Sequence, residues 1–314
     1  MTTQSAFGPD RPLRIGTRGS KLALAQAHET RDRLREAHGL SEDAFEIVVI
    51  KTTGDRVLDR PLSEIGGKGL FTKEIEDALL DGTIHIAVHS MKDMPTLQPE
   101  GLALTCYLPR EDERDAFVSP RFESIDALPK GAVVGSSSLR RRAQVLHYRP
   151  DLTLVEFRGN VQTRLKKLED GVAEATFLAC AGLRRLGMTE VARAPVPPEA
   201  MLPAVAQGAI GIEQRADDEI VSALLAPLND GDTTTRLAAE RAFLAGLDGS
   251  CRTPIGGLAE LRGDRMRLRG EIIRPDGSER HATEREGPVS DAAAMGADAA
   301  AELRARGGEG FFDA

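Results

Sequence analysis

Apolar strand segments alternate with helical segments along the first two thirds of the chain, and this alternation limits the fold more than any other feature of the sequence. The first series consists of the strand Leu13–Thr17, a helix that Ser20 caps and that stops at Gly39, the strand Phe45–Lys51, a helix from Thr72 to Leu80 and the strand Ile84–His89. Strands that alternate with helices form mostly parallel sheets, and the helices cover their faces. The series therefore predicts an α/β lobe.

A second series of the same kind follows a hinge that we expect near Pro109–Arg114. It consists of the strand Ala132–Gly135, a helix opened by Ser136-Ser137-Ser138 that runs through His147, the strand Leu152–Phe157, the helix Val161–Leu168 and the strand Ala175–Ala179, and it ends at Ala194–Pro198. Two such series predict two doubly wound lobes, which bind ligands at the carboxyl ends of their strands. Residues 52–69 of the first series are a polar, glycine-containing loop.

The last third of the chain has a different pattern, in which a helix precedes several alternating strands. Thr233–Leu247 is the helix, and the strands are Gly257–Arg262, Met266–Ile273 and His281–Glu286, with a turn at Pro275-Asp276-Gly277. Ser290 caps a final alanine-rich helix that ends near Arg304. Antiparallel strands with a helix at one end predict a small α+β domain.

Net charge, the length of apolar runs and cysteine spacing exclude several classes of function. The 314 residues have a net charge of −8, and a negative protein is a poor non-specific partner for nucleic acid, which binds through phosphate neutralisation. No apolar run reaches the roughly 18 residues that span a membrane, and Met1–Pro12 contains no signal-peptide core. Cys106, Cys180 and Cys251 have neither disulfide-framework nor zinc-site spacing. We therefore expect a cytoplasmic protein without a metal.

Basic residues are concentrated where the predicted strands end. They are Arg18, Arg140, Arg141, Arg142, Arg158, Arg164, Arg184 and Arg185. A single arginine at the start of a helix is usually solvated, but the same placement after four strands of a net-negative chain indicates a binding site. The guanidinium group binds carboxylates and phosphates in bidentate fashion, and helix N-termini add partial positive charge. The pattern predicts a polyanionic small-molecule ligand.

Two further segments contain chemically active side chains. Asp93 follows an apolar strand in His89-Ser90-Met91-Lys92-Asp93, where it either stabilises a cation or caps a turn. Cys251 lies in a glycine-containing loop beside Arg252, and a positive neighbour favours the reactive thiolate. By contrast, Gly66-Gly67-Lys68-Gly69 lacks the Ser or Thr and the spacing of an ATP-binding loop, so a mobile flap is the better interpretation.

Several long motifs, in the right order, make the chain similar to the porphobilinogen deaminase (hydroxymethylbilane synthase) family over nearly its whole length. The motifs are Thr17 to Gln26, Gly66 to Phe71 with Lys73-Glu74, Ala87 to Asp93, Gly135 to Arg141, Arg158 to Val161 with Thr163-Arg164, Leu202 to Gly208, and Glu240-Arg241 leading through Gly249-Ser250-Cys251 to Pro254-Ile255-Gly256. The resemblance implies two lobes like those of periplasmic binding proteins and a small third domain. It implies lobe 1 at 1–109 and 203–230, lobe 2 at 110–202 and the third domain at 231–314.

The resemblance also implies an activity and a cofactor. The family condenses four porphobilinogen molecules head to tail, each with loss of ammonia, on a dipyrromethane primer held through a thioether to the cysteine that matches Cys251. Every pyrrole has an acetate and a propionate, which agrees with the arginine pattern. We expect a monomer. The alternative is a two-lobed anion-binding protein without catalysis, but that class is usually exported, and it gives no reason for a third domain with a thiol loop.

The matching positions imply roles for individual residues. The resemblance implies catalytic roles for Asp93, which would bind pyrrole N–H groups and stabilise positive charge, and for Arg18 and Lys92. It implies cofactor contacts for Cys251, Lys68, Ser138, Arg140, Arg141, Asp55 and Ser90. It implies substrate contacts for Ser20, Phe71, Arg158, Arg164 and Arg185. Glu64 departs from the pattern, because some members have a lysine there that is thought to contact cofactor carboxylates.

Overall fold

A computed structural model describes residues 6–56, 71–250 and 253–313, without the side chains of Asp55 and Arg56. Its strands are β1 Leu13–Thr17, β2 Phe45–Val49, β3 Ile86–Ser90, β4 Leu102–Tyr107, β5 Asp115–Val118, β6 Val133–Gly135, β7 Thr153–Val155, β8 Ala175–Ala179, β9 Ala194–Pro195, β10 Ile210–Arg215, β11 Ile255–Arg262, β12 Arg265–Ile273 and β13 Arg280–Pro288. Its α-helices are α1 Lys21–His38, α2 Thr53–Arg56, α3 Lys73–Leu80, α4 Leu139–Tyr148, α5 Val161–Glu169, α6 Cys180–Arg185, α7 Glu219–Leu225, α8 Gly231–Gly246 and α9 Ala292–Gly307.

The chain divides into two compact units. Unit 1 comprises residues 1–111 and 209–234, and its sheet has the strand order β2-β1-β3-β10-β4. β1 pairs in parallel with β2 and β3, whereas β10 is antiparallel to β3 and β4. Apolar residues cover both faces of this sheet. One cluster contains Ile15, Ile86 and Leu34, and the other contains Ala87, Ile75 and Leu79.

Unit 2 comprises residues 112–208 and 235–314 and contains two sheets. The first has the order β7-β6-β8-β5-β9, in which β6 pairs in parallel with β7 and β8 while β5 is antiparallel to β8 and β9. It therefore repeats the arrangement of the unit 1 sheet. The second sheet is an antiparallel β11-β12-β13 meander that packs on α9. The predicted fold class, two α/β lobes with a small α+β domain, is confirmed.

Several helix boundaries follow from local chemistry that the sequence makes visible. The Ser20 Oγ accepts a hydrogen bond from the Ala23 N–H and so caps α1, as predicted. Gly39 ends α1 with a φ of 63°, a left-handed conformation that glycine adopts without steric cost. Ser138 caps α4 in the same way as Ser20 caps α1, by accepting from the Arg141 N–H.

Other elements were missed or misplaced. The strands β5 and β10 were not predicted, because Asp115 begins β5 and Glu213 and Gln214 interrupt the apolar run of β10. The segment 52–69 was expected to be loop, but it begins with the short helix α2. The last helix starts at Ala292, after a single 3-10 turn that contains Ser290, so Ser290 does not cap it.

Candidate active site

A cleft of about 80 Å³ lies in unit 1 at the carboxyl ends of β1 and β3, next to the first turns of α1 and α3. Its lining residues are Arg18, Ser20, Leu22, Ala23, Gln26, Phe71, Thr72, Val88, His89, Ser90, Asp93 and Met94. The strand ends of a parallel sheet are where such folds bind ligands. Five residues predicted from the sequence therefore line this cleft: Arg18, Ser20, Phe71, Ser90 and Asp93.

One side of the cleft is cationic. Arg18 directly follows β1, and the carbon at the centre of its guanidinium group lies 4.2 Å from the centroid of the Phe71 ring. A guanidinium over an aromatic face is held by about 0.5–1 kcal/mol at a partly exposed site. Ser20 and the N-terminus of α1 lie next to Arg18, and the aligned peptide dipoles of α1 place partial positive charge there. This side is suited to a carboxylate.

The turn that contains Asp93 is fixed by contacts on both faces of β3. On the α1 face, the buried Gln26 donates a hydrogen bond from Nε2 to the Ser90 Oγ over 2.8 Å. On the α3 face, the His89 Nε2 lies 3.0 Å from the Glu213 Oε2. The 3-10 turn Met91–Asp93 follows, with the Met91 N–H donating to the Ala209 carbonyl over 3.0 Å. Asp93 thus has a defined position in the cleft.

Sequence reasoning did not identify the polar residues that support this turn. Gln26, Glu213 and Glu76 are buried, with relative exposures of 4%, 0% and 8%. Glu213 comes from the antiparallel strand β10, about 120 residues after β3, so no local pattern connects it to His89. A helical glutamate such as Glu76 has the signature of a solvated residue. Burial raises the pKa of Glu76, and the nearby Glu213 adds to this effect.

Unit 2 contains a different arrangement, in which Arg140 and Arg141 surround one carboxylate. The Asp115 Oδ2 accepts from the Arg140 Nη2 over 2.7 Å, and its Oδ1 accepts from the Arg141 Nη2 over 2.6 Å. The Gln207 Nε2 donates to the same Oδ1 over 2.9 Å. Burial alone would raise the pKa of Asp115, but the charges of Arg140 and Arg141 outweigh burial and hold that pKa well below its usual range.

This geometry differs from the expected exposure of Arg140 and Arg141 as anion-binding groups. The remaining donors reach backbone carbonyls, from the Arg140 Nη1 to Leu202 over 2.8 Å and from the Arg141 Nη1 to Phe177 over 2.8 Å. Both arginines are buried, with exposures of 5% and 6%. A buried guanidinium group needs a counter-charge, and Asp115 supplies it. Nothing in the sequence around the four-residue strand β5 indicates this role of Asp115. Ser138, also expected at the site, is half-buried at the start of α4.

The residues of unit 2 that were predicted to bind the substrate, Arg158, Arg164 and Arg185, are half-buried and lie in the turn before α5, on α5 and on α6. The Arg164 Nε donates to the Gly159 carbonyl over 2.9 Å, and the Arg185 Nη2 donates to the Gly208 carbonyl over 3.1 Å. Gly159, beside Arg158, has a φ of 122°, and a Cβ there would meet the Thr163 side chain at 2.6 Å. This turn therefore requires glycine.

Three predicted positions lie outside the described residues: Lys68 and Cys251 entirely, and Asp55 through its side chain. Glu64 and Arg252 lie outside them too. Lys92 is half-buried within the turn that ends at Asp93. The two described cysteines are buried core residues, as predicted, and burial raises the pKa of Cys106 to about 12 and that of Cys180 to about 11.

Within residues 6–56, 71–250 and 253–313, no helix is long and apolar enough to cross a membrane, and no three His, Cys, Asp or Glu side chains are grouped as a metal ion would require.

Comparisons with known proteins match nearly the whole chain. Residues 13–223 match the family model described as porphobilinogen deaminase, dipyromethane cofactor binding domain, and residues 234–305 match the porphobilinogen deaminase C-terminal domain. Porphobilinogen deaminase of Paracoccus denitrificans is 74% identical over 305 residues, which are 97% of each chain. Porphobilinogen deaminase of Nitrobacter hamburgensis is 56% identical over 98% of each chain. The solved methionine-binding protein MetQ aligns at 13% identity with a TM-score of 0.43, over 72% of this chain and 93% of its own.

The buried arginine pair allows a test of stability. Asp115→Asn removes the counter-charge of two buried guanidinium groups, and breaking a buried pair costs about 3–5 kcal/mol. Asp115 has a lowered pKa, so its contribution is present above the ordinary carboxyl pKa and is lost as the pH falls toward the lowered value. Urea unfolding at neutral pH should show this loss, and the difference from the parent should narrow in acid. Asp170→Asn, in the exposed pair with Lys166, should change the stability far less than Asp115→Asn does, because solvent screens an exposed ion pair.

The contribution of Glu76 to stability should depend on pH in the opposite direction to that of Asp115. Its raised pKa means that the folded state favours the neutral carboxyl, so its contribution to stability is lost as the pH rises through the raised pKa. Glu76→Gln, which stays neutral, should therefore have a higher Tm than the parent at pH values above that pKa and the same Tm in acid. Glu36→Gln, at an exposed position of α1, should show no such trend. Equal Tm curves for the parent and Glu76→Gln would contradict this prediction.

Proposed function

The chain belongs to the porphobilinogen deaminase family. On that premise we propose that it acts as a hydroxymethylbilane synthase. Such a transferase joins four porphobilinogen molecules head to tail and releases a linear tetrapyrrole. The observation that supports the proposal most directly is the unit 1 cleft, where the Asp93 carboxylate and the Arg18 guanidinium occur together. A pyrrole with acidic side chains needs both groups, one for its N–H and one for its carboxylates.

The family's dipyrromethane cofactor has the same pyrrole N–H groups and acidic side chains as the substrate. The unit 1 cleft therefore suits the cofactor for the same reason as it suits the substrate. Arg18 and the α1 N-terminus at Ser20 suit its carboxylates, and Asp93 and Ser90 offer acceptors for its N–H groups. When bound, the cofactor supplies the pyrrole to which substrate units are joined. We propose that Cys251 holds it covalently and that Lys68, Asp55 and Ser138 contact it.

Asp93 is proposed as the main catalytic carboxylate. As the C–N bond of porphobilinogen breaks, ammonia leaves with the electron pair and positive charge develops on the pyrrole ring. A fixed carboxylate that accepts the pyrrole N–H stabilises this charge, and the stabilisation is strongest where little water can enter. The contacts of Ser90 and His89 hold the turn in place before the reaction, so little reorganisation is needed.

The remaining basic residues are proposed to bind substrate carboxylates or to position the groups that do. Arg158, Arg164 and Arg185 are half-buried, and the resemblance assigns them to the substrate. Lys92 is proposed to act beside Asp93, and Phe71 to cover the pocket while it contacts Arg18. For Arg140 and Arg141 we propose a positioning role, because Asp115 and backbone carbonyls already occupy most of their donors. They would hold the start of α4, and with it Ser138, in place.

Three points remain predictions from the sequence: action in the cytoplasm, a monomeric state and the absence of a nucleic-acid partner. The competing function, anion binding without chemistry, makes a different prediction about mass. Only the enzyme should contain a covalent dipyrrole, so the intact mass of the purified protein distinguishes the two.

Cys251→Ser should remove the covalent adduct, because a serine hydroxyl cannot form the thioether. The intact mass should then equal that of the bare polypeptide. Cys106→Ser and Cys180→Ser serve as controls and should keep the adduct, since both thiols are buried and have raised pKa values of about 12 and about 11. An adduct mapped by peptide mass spectrometry to either control position would refute the assignment.

Asp93→Asn should fold and retain the adduct but lose about 10²–10³ in kcat, since the amide cannot supply the negative charge at the reacting centre. Single-turnover kinetics on protein with verified adduct content measure this loss. Asp10→Asn, at an exposed position of the same unit, is the matched control and should keep the parent's rate. A near-normal kcat in correctly folded Asp93→Asn protein would mean that another group stabilises the charge.

A further inference from the structure

Three ionisable side chains are buried together behind the unit 1 cleft. His89 lines the cleft, and its Nε2 lies 3.0 Å from the Glu213 Oε2. Glu76, in the first turn of α3, interacts electrostatically with both Glu213 and His89. The side chains of His89 and Glu213 have exposures of 5% and 0%. Because this trio comes from β3, β10 and α3, the fold alone brings it together.

One oxygen atom of the trio, the Oε1 of Glu213, could hold a further proton. The Glu213 Oε1 is buried and has no hydrogen-bond partner among the described residues, and the contact of His89 with Glu213 uses only the Nε2 atom of the imidazole. Burial of a polar atom without a partner costs roughly 1–3 kcal/mol, so the unpaired oxygen behind the cleft points to a functional role. Burial also raises the pKa of Glu76, which favours its protonated form. Among residues 6–56, 71–250 and 253–313, the other charged groups that face the cleft are Arg18 and Asp93.

We propose that His89 accepts the proton released when two pyrrole rings are joined, with Glu213 orienting its imidazole and Glu76 extending the relay. The inference rests on the proposed condensation chemistry. In each round the C–N bond of porphobilinogen breaks and ammonia leaves with the electron pair. The α-carbon of the attacking pyrrole forms the new C–C bond and loses its hydrogen as a proton. His89 takes this proton and passes it on, so that one ammonium ion leaves per round and the enzyme returns to its starting state.

Charge explains why His89 accepts the proton while Asp93 stabilises the cation. A carboxylate that stabilises a developing cation must stay ionised while the cation exists, so Asp93 is a poor acceptor for the proton at the same moment. A neutral imidazole beside a buried carboxylate accepts a proton readily, since the resulting ion pair compensates both charges.

The test replaces His89 with a residue that keeps a hydrogen bond to Glu213 but does not titrate. His89→Gln should retain the covalent adduct, confirmed by intact mass, and lose at least about 10² in single-turnover rate, the lower range for general acid–base catalysis. With both the cofactor and the substrate made from porphobilinogen deuterated at its free α-carbon, so that each attacking ring loses deuterium, the isotope effect on the rate should increase in the variant, because C–H cleavage becomes limiting. His28→Gln, at an exposed position of α1, is the matched control and should match the parent.

A second readout does not depend on activity. In holoenzyme with ¹⁵N-labelled histidine, the ring signals that are absent from His89→Gln should identify Nε2 as the nitrogen that bears hydrogen, because it faces the Glu213 carboxylate. Glu213→Gln should shift these ring signals, because the accepting carboxylate is gone. If His89→Gln fails to fold, Glu213→Gln supplies the kinetic test, and its single-turnover rate should fall with His89 intact.

The outcomes separate this inference from the proposed function. A parent enzyme that releases no linear tetrapyrrole would refute the function itself. An active parent whose His89→Gln variant has a parental rate and isotope effect would refute the role of His89 alone. A parental rate and unchanged histidine ring signals in Glu213→Gln would refute the relay.

Discussion

The buried carboxylate of Asp115 is the interaction on which unit 2 depends. Its two oxygens receive hydrogen bonds from Arg140, Arg141 and Gln207, which come from α4 and from the segment just before β10. Each guanidinium group would be costly to bury alone, and the carboxylate would be as costly without them. Because the cost is avoided only when all three side chains meet, the ion cluster specifies how β5, α4 and that segment pack.

Buried hydrogen bonds connect this ion cluster to the three-stranded sheet of unit 2. Gln144, one turn after Arg140 on α4, donates to the Leu202 carbonyl over 2.9 Å and also bonds to Glu271 of β12. Glu240 of α8 accepts from the backbone N–H groups of Ala206 and Ala259 over 2.6 and 2.8 Å. The segment that contains Leu202 and Ala206 is thus held by buried polar contacts on several sides. This explains why a stretch without regular secondary structure can be almost fully buried.

Unit 1 uses a smaller set of buried polar contacts to build a reaction site. Gln26 and Glu213 hold the two faces of the β3 terminus, and the turn that follows presents Asp93 to the cleft. The alternation of side chains along a strand makes this work, because Ser90 and His89 necessarily point to opposite faces. Asp93 therefore owes its position in the cleft to buried polar contacts on both faces of β3.

The sequence by itself determined the α/β lobes, the terminal α+β domain, the Ser20 and Ser138 caps and the concentration of cleft residues at Arg18 and at Asp93. These features depend on periodicity and on neighbours within a few residues, which are written directly in the chain. The tertiary structure alone decided that Arg140 and Arg141 are buried against Asp115, and that Glu213 and Glu76 join His89. An arginine has the same local signature whether it faces solvent or a buried carboxylate 25 residues away. Its environment is set by which strands pair, and a long-range pairing leaves no pattern in the sequence around either partner.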